Sequence, residues 1–191
     1  MTAAATIDAG QAEADTRHWL ERAVIGLNLC PFAKAVHAKQ QIHYASWIEP
    51  TESGLMDALL SEAKELASRA PSARDTTLLI APNTLADFLD FNDFTQRAER
   101  RLARAGYEGV FQLASFHPRF QFAGSEPDDI GNATNRAPYP TLHLLREESV
   151  DRAVEAFPEA EAIFERNIET LEALGEAGWK ALDVGPGGAS R

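Results

Sequence analysis

Only one cysteine, Cys30, occurs in the 191 residues. It has no partner for an internal disulfide and cannot by itself supply a zinc-finger framework, which fits a reducing compartment. No apolar run approaches the ~20 residues that span a bilayer. The start of the chain, M-T-A-A-A-T-I-D-A-G-Q-A-E-A-D, lacks the basic residues and apolar stretch of a secretion signal. These absences lead to the expectation of a cytoplasmic protein with no membrane partner. Positive charge is scarce as well. Lys and Arg number 18 against 29 Asp and Glu, a formal net charge of -11. That balance argues against nucleic acid as a general partner, because phosphate binding needs a basic face. The arginine-rich stretches Arg69 to Arg74 and Arg97 to Arg104 are interleaved with acids or lie at helix ends, and read as solvated helix faces. Several motifs are also missing. There is no H-E-x-x-H helix, and Ser115 and Ser125 carry no nucleophile-elbow signature. Gly185 to Gly188 follows no strand and cannot cradle a phosphate. Ile130 and Gly131 interrupt the alternating oxygen ligands that a calcium loop would need between Asp128 and Asn135.

What remains is an ordinary globular composition, 45% hydrophobic and 25% charged. A single domain over residues 15–182 is expected, with loose tails at 1–14 and 183–191. Asp15 or Thr16 can cap a first helix whose Trp19, Leu20, Ala23, Val24 and Leu27 form a stripe. Pro31 either ends that helix or starts a second one, and the choice decides whether Cys30 sits at the negative or the positive end of a helix dipole. Gln41 to Ile48 has strand composition. Ser53 can cap a helix over 54–69, and Thr76 to Ala81 is an apolar run suited to a strand covered on both faces. Asp90 or Asn92 can cap a helix over 93–105, which Gly106 ends. Strands are expected at 109–115 and 141–146. Ser149 can cap a short helix, and Pro158 suits the first turn of the last. This alternation predicts an α/β fold: one domain with a mixed, largely parallel four-stranded sheet and helices packed on it.

The stretch from Ala114 to Arg146 concentrates the chemistry. It reads A-S-F-H-P-R-F-Q-F-A-G-S-E-P-D-D-I-G-N-A-T-N-R-A-P-Y-P-T-L-H-L-L-R. Its middle has neither helical nor strand periodicity, yet Phe116, Phe120, Phe122, Ile130 and Tyr139 give it apolar anchors, and four prolines stiffen it. An ordered polar loop of this kind is where a site is expected.

Three chemistries compete for it. His117, His143 and Asp129 are a two-histidine, one-carboxylate set that suits a divalent metal. Arg119 and Arg136, with Asp128, Asn132 and Asn135, could bind a small anionic molecule through its carboxylate or phosphate. His117 as acid or base, with Asp129 orienting it and Cys30 as nucleophile, is a catalytic arrangement. Each has a structural alternative: histidines holding the loop shut, arginines paired with loop acids, and a buried thiol.

The strings G-L-N-L-C-P-F-A (Gly26 to Ala33), A-S-F-H-P-R-F-Q-F-A-G (Ala114 to Gly124) and N-A-T-N-R-A-P-Y-P-T-L-H-L-L-R-E (Asn132 to Glu147) resemble those of a bacterial family classed only as a domain of unknown function. The resemblance runs from about Thr16 to Trp179 and implies no activity, cofactor or catalytic residue. From the residues themselves, the expectation is a small enzyme acting on an anionic small molecule through the 115–146 loop. The alternative is a noncatalytic ligand-binding or protein-interaction module using the same loop, with its aromatics as anchors.

Overall fold

The computed structural model describes residues 6–157, 159 and 162–190. Helix α1 (Ala9–Trp19) starts earlier than expected, because Asp8 caps it by accepting from the Gln11 N–H at 2.9 Å. Residues 9–14, assigned from sequence to a loose tail, therefore form its opening turns. They hold because Ala12 is small enough to pack fully into the core. A wider helical segment, Leu20–Ile25, continues α1. Then follow α2 (Ala33–Ala38), β1 (Ile42–Ser46), α3 (Glu52–Ser68), β2 (Thr76–Ile80), α4 (Phe88–Leu102), β3 (Phe111–Phe116), β4 (Thr141–Arg146), α5 (Glu147–Ala156) and α6 (Ile163–Ala181). Pro158, expected to open the last helix, lies outside the described residues.

Helix α4 also starts before the caps expected for it. Asp87 accepts from the N–H groups of Leu89 and Asp90, and the aromatic run behind it becomes helix because Phe91 and Phe94 both reach the core. Gly106 ends the following turn at a φ of 89°, a left-handed conformation that glycine adopts without a Cβ penalty.

The four strands form one sheet in the order β1-β2-β4-β3. Only β1 and β2 run parallel, joined by α3, while β4 is antiparallel to both β2 and β3. The sheet is therefore mixed but mostly antiparallel, which corrects the largely parallel expectation. Parallel neighbours need a long crossover, most often a helix, between them. Between β3 and β4 the link holds no α-helix, only a short 3-10 turn, and the chain turns back alongside the strand it has just left.

Register assigns the side chains to two faces. Leu79, Leu142, Leu144 and Phe111 face α3 and α4 in one core, where Leu55, Leu59, Ala63 and Leu66 form the α3 stripe at helical spacing. Ile42, Tyr44, Thr76, Leu78, Ile80, Ala114, Phe116 and His143 lie on the opposite face, under α1 and the segment that continues it. Strand β2 is buried along its whole length, as expected for a strand covered on both faces.

The end of the chain packs onto α1. Val184 and Gly188 are buried, and the buried Asp15 carboxylate accepts from the N–H groups of Gly187 and Ala189 at 2.8 and 3.1 Å and from the Tyr139 hydroxyl at 2.7 Å. Residues expected as a loose tail are thus tied down by a carboxylate that needs their donors.

Candidate functional site

The excursion between β3 and β4 is built around its own side chains. His117 is 1% exposed and packs against the rings of Phe88 and Phe91. Its Nδ1 accepts from the Arg119 N–H at 3.0 Å, so the proton sits on Nε2, which donates to the Leu85 carbonyl at 3.1 Å. Burial pushes its pKa below the ordinary histidine value, outweighing the Leu85 hydrogen bond. Arg119 donates to the Ala86 carbonyl at 2.7 Å and pairs with Asp87 at 3.3 Å, with both side chains largely exposed. Arg136 donates to the carbonyls of Phe120 and Pro127. The exposed Asp129 caps a 3-10 turn, Ile130–Asn135, by accepting from Gly131 N–H at 2.8 Å, and Asn135 donates to the Ser115 carbonyl. Asp128 is exposed on the surface of the loop.

At the centre of the loop is Asn132, with no solvent exposure. Its oxygen accepts from the Phe122 N–H at 2.9 Å and the Ser125 hydroxyl at 2.8 Å, and its amide donates to the Glu126 carbonyl at 2.8 Å. Removing it takes the partner from the half-buried Phe122 N–H and from the Glu126 carbonyl, while the Ser125 hydroxyl keeps the Phe122 carbonyl at 2.9 Å. Asn132→Ala is expected to lower stability by about 2 kcal/mol in chemical denaturation, with early loss of protection of the Phe122 amide in hydrogen exchange. The loop aromatics are half-buried and packed in series: Phe88 against Phe120 at 5.1 Å, Phe120 against Phe122 at 5.0 Å, and Phe122 against Phe164 at 5.3 Å.

A separate hollow of about 320 Å³ opens on the other face of the sheet. Its floor is Thr76, Leu78, Ala114, Phe116 and His143, and its walls come from Trp19, Val24, Cys30, Phe32, Val36 and α5. The lining is overwhelmingly apolar, with few polar groups. Thr76 donates its one hydroxyl proton to the Leu144 carbonyl at 2.6 Å, so it accepts from His143 Nε2–H, also at 2.6 Å. The second ring nitrogen of His143, Nδ1, then carries a lone pair. Burial holds the His143 pKa down at about 4, and the ring is neutral at neutral pH.

Cys30 precedes α2 by a short turn and lines the same hollow. Burial raises its thiol pKa more than the N–H groups of Phe32 and Ala33 lower it, so the thiol stays protonated. At the rim, Ser149 donates to Asp75 at 2.7 Å.

The fold therefore brings Cys30 together with His143, and places His117 elsewhere. Among the described residues no group of three or more His, Cys, Asp or Glu side chains could hold a metal ion. His117, His143 and Asp129 are not assembled, because His117 packs with Leu85 and Phe91 toward α4 while His143 faces α1 across the sheet. Thr76, Ser149 and the apolar walls read in the sequence only as strand, cap and core residues, and Asp75 carries no signal there. Alternation along T-L-H-L-L-R does put His143 on the opposite face from Leu142 and Leu144, and that was the one available signal.

The fold and the hollow together define a small α/β protein with a largely apolar hollow between its sheet and one helical layer. The chain belongs to the family described as protein of unknown function (DUF1415), whose model matches residues 11–181. No curated protein and no solved structure matches it. No described helix is long and apolar enough to cross a membrane.

Proposed function

We propose that this protein binds a small, largely apolar molecule in the hollow beneath α1, α2 and α5, and recognises one hydroxyl or N–H group on it through the lone pair of His143 Nδ1. The observation that carries the proposal is the composition of the walls: an apolar cavity with a single neutral imidazole fixed in one tautomer by Thr76. Magnitudes favour such a guest. Each 100 Å² of apolar surface withdrawn from water contributes about 2.5 kcal/mol, whereas a buried charge without a partner costs far more. The anionic guest expected from Arg119 and Arg136 has less support, because those guanidinium groups already donate to the carbonyls of Ala86, Phe120 and Pro127. A reducing cytoplasm suits the single, protonated thiol, and the net charge of -11 disfavours nucleic acid as a partner.

A second reading, catalysis, draws on Cys30 and His143 lining one cavity. It is weaker, since a His with a pKa of about 4 is a poor base at neutral pH and a thiol with a raised pKa is a poor nucleophile.

A thermal-shift screen of small phenols, alcohols and amides tests the binding reading. A bound compound at 100-fold over its Kd should add about 2.7 kcal/mol and raise Tm by roughly 5–10 °C. Ala153→Phe, which fills the hollow from the half-buried face of α5 that lines it, should abolish that rise. An equal rise in the variant would refute the location. Consumption of a bound compound, lost in Cys30→Ser, would instead establish the catalytic reading.

A further inference from the structure

The face of α4 turned toward the start of α3 carries Arg97, Arg100, Arg101 and Arg104. At ~100° per residue these positions fall within about 100° of arc, so the four guanidinium groups share one side of the helix and of the turn that continues it. Together with Met56, Phe94, Glu52 and Ser53 they line a surface hollow of about 410 Å³. Arg97 is the one already engaged, pairing with Glu52 at 2.6 Å and lying 5.5 Å from the centre of the Phe94 ring.

The side chains of the other three make no hydrogen bond or ion pair among the described residues, although carboxylates outnumber cations by 11 in this chain. Like charges at this spacing destabilise a helix. The favourable end of the α4 dipole offsets part of that repulsion. It does not account for the convergence of all four on a hollow with an apolar floor. The wall opposite them is the first turn of α3, where Thr51 provides no side-chain cap.

We infer that this hollow is a binding site for a phosphorylated small molecule, with the phosphoryl oxygens on Arg100, Arg101 and Arg104 and any apolar portion against Met56. The planar guanidinium fork matches phosphate oxygens in pairs, and three forks suit a multiply charged group better than a single carboxylate. This site lies on the opposite side of the sheet from the His143 hollow and is independent of it.

Calorimetric titration with inorganic pyrophosphate, at low ionic strength, tests the inference on the full chain. Saturable binding at one site is expected, at least 10-fold weaker in the double variant Arg100→Gln, Arg104→Gln and unchanged in Arg69→Gln, whose arginine sits on α3's exposed far end beside Glu65. Because the replaced side chains are exposed and mutually repulsive, the double variant should keep or slightly raise its Tm. Adenosine monophosphate and a short single-stranded oligonucleotide serve as further arms. Tighter binding of the nucleotide than of inorganic monophosphate assigns the apolar floor to an organic portion, whereas equal binding leaves the phosphoryl group as the whole determinant. Absence of saturable pyrophosphate binding, equal binding by the double variant, or a marked preference for the oligonucleotide would overturn the inference.

Discussion

Asp15→Ala is expected to destabilise the protein by about 3 kcal/mol, a fall of roughly 10 °C in Tm for a chain of this length. Asp15 is completely buried, and among the described residues its partners are hydrogen-bond donors rather than a cation. Burial alone would raise its pKa, but hydrogen bonds from Gly187 N–H, the Tyr139 hydroxyl and Ala189 N–H outweigh burial and lower it. Truncation leaves those three donors without an acceptor and frees the end of the chain from α1. The measurement is a denaturation midpoint together with amide exchange at Gly187 and Ala189. Those two amides should lose protection before the sheet does. Asp15→Asn keeps an acceptor oxygen and should recover part of the loss. If Asp15→Ala melted with the parent protein, the terminal segment would not be held as described.

His143 makes the second large contribution, and its sign follows from a depressed pKa. Unfolded, the ring titrates near 6.5; folded, near 4. Between those values the unfolded state binds more protons, so stability is complete above about pH 6.5 and is lost as pH falls toward 4, by about 3 kcal/mol. The pKa values of His117 and His43 are also lowered, first of all by burial, and both add to acid sensitivity in the same direction. The His143 share is isolated by difference. A His143→Gln variant, whose amide can still donate to Thr76, should show a shallower decline between pH 6.5 and 4, measured by urea unfolding at fixed temperature. Parallel stability curves for the two proteins would mean that the ring is protonated freely in the folded state, and hence open to bulk water.

Much of the scaffold was legible in the sequence because it obeys periodicity. The Leu55, Leu59, Ala63 and Leu66 stripe, the apolar run of β2 and the bounds of β4 all emerge from spacing alone. Strand direction did not, because alternating elements fix neither which strands become neighbours nor how β4 inserts between β2 and β3. The caps at Asp8 and Asp87 are not separable in the sequence from Asp15, Thr16, Asp90 or Asn92, because all of these residues have capping chemistry.

The excursion after β3 presented a harder ambiguity. A connection of that length with only one 3-10 turn must satisfy much of its backbone through side chains, and Asn132, Arg136 and His117 do that work. Those are also the residue types of active sites, so composition does not separate the two roles. The hollow was illegible for a different reason. Trp19, Cys30, Thr76, Ala114, His143 and Ser149 come from separate elements and meet only when the sheet order is known. Sequence spacing offers Cys30 either histidine, and only the sheet order pairs it with His143 rather than His117.

The most direct test follows the imidazole nitrogens of selectively 15N-labelled protein by NMR as phenol, an apolar ring with one hydroxyl donor, is titrated in. His143 Nδ1 should begin as an unprotonated nitrogen at neutral pH and shift saturably on binding, with His117 unmoved and no response in Ala153→Phe. A His143 resonance that stays fixed while His117 or the amides of 117–136 respond would contradict a site beneath α1, α2 and α5 and return it to the loop.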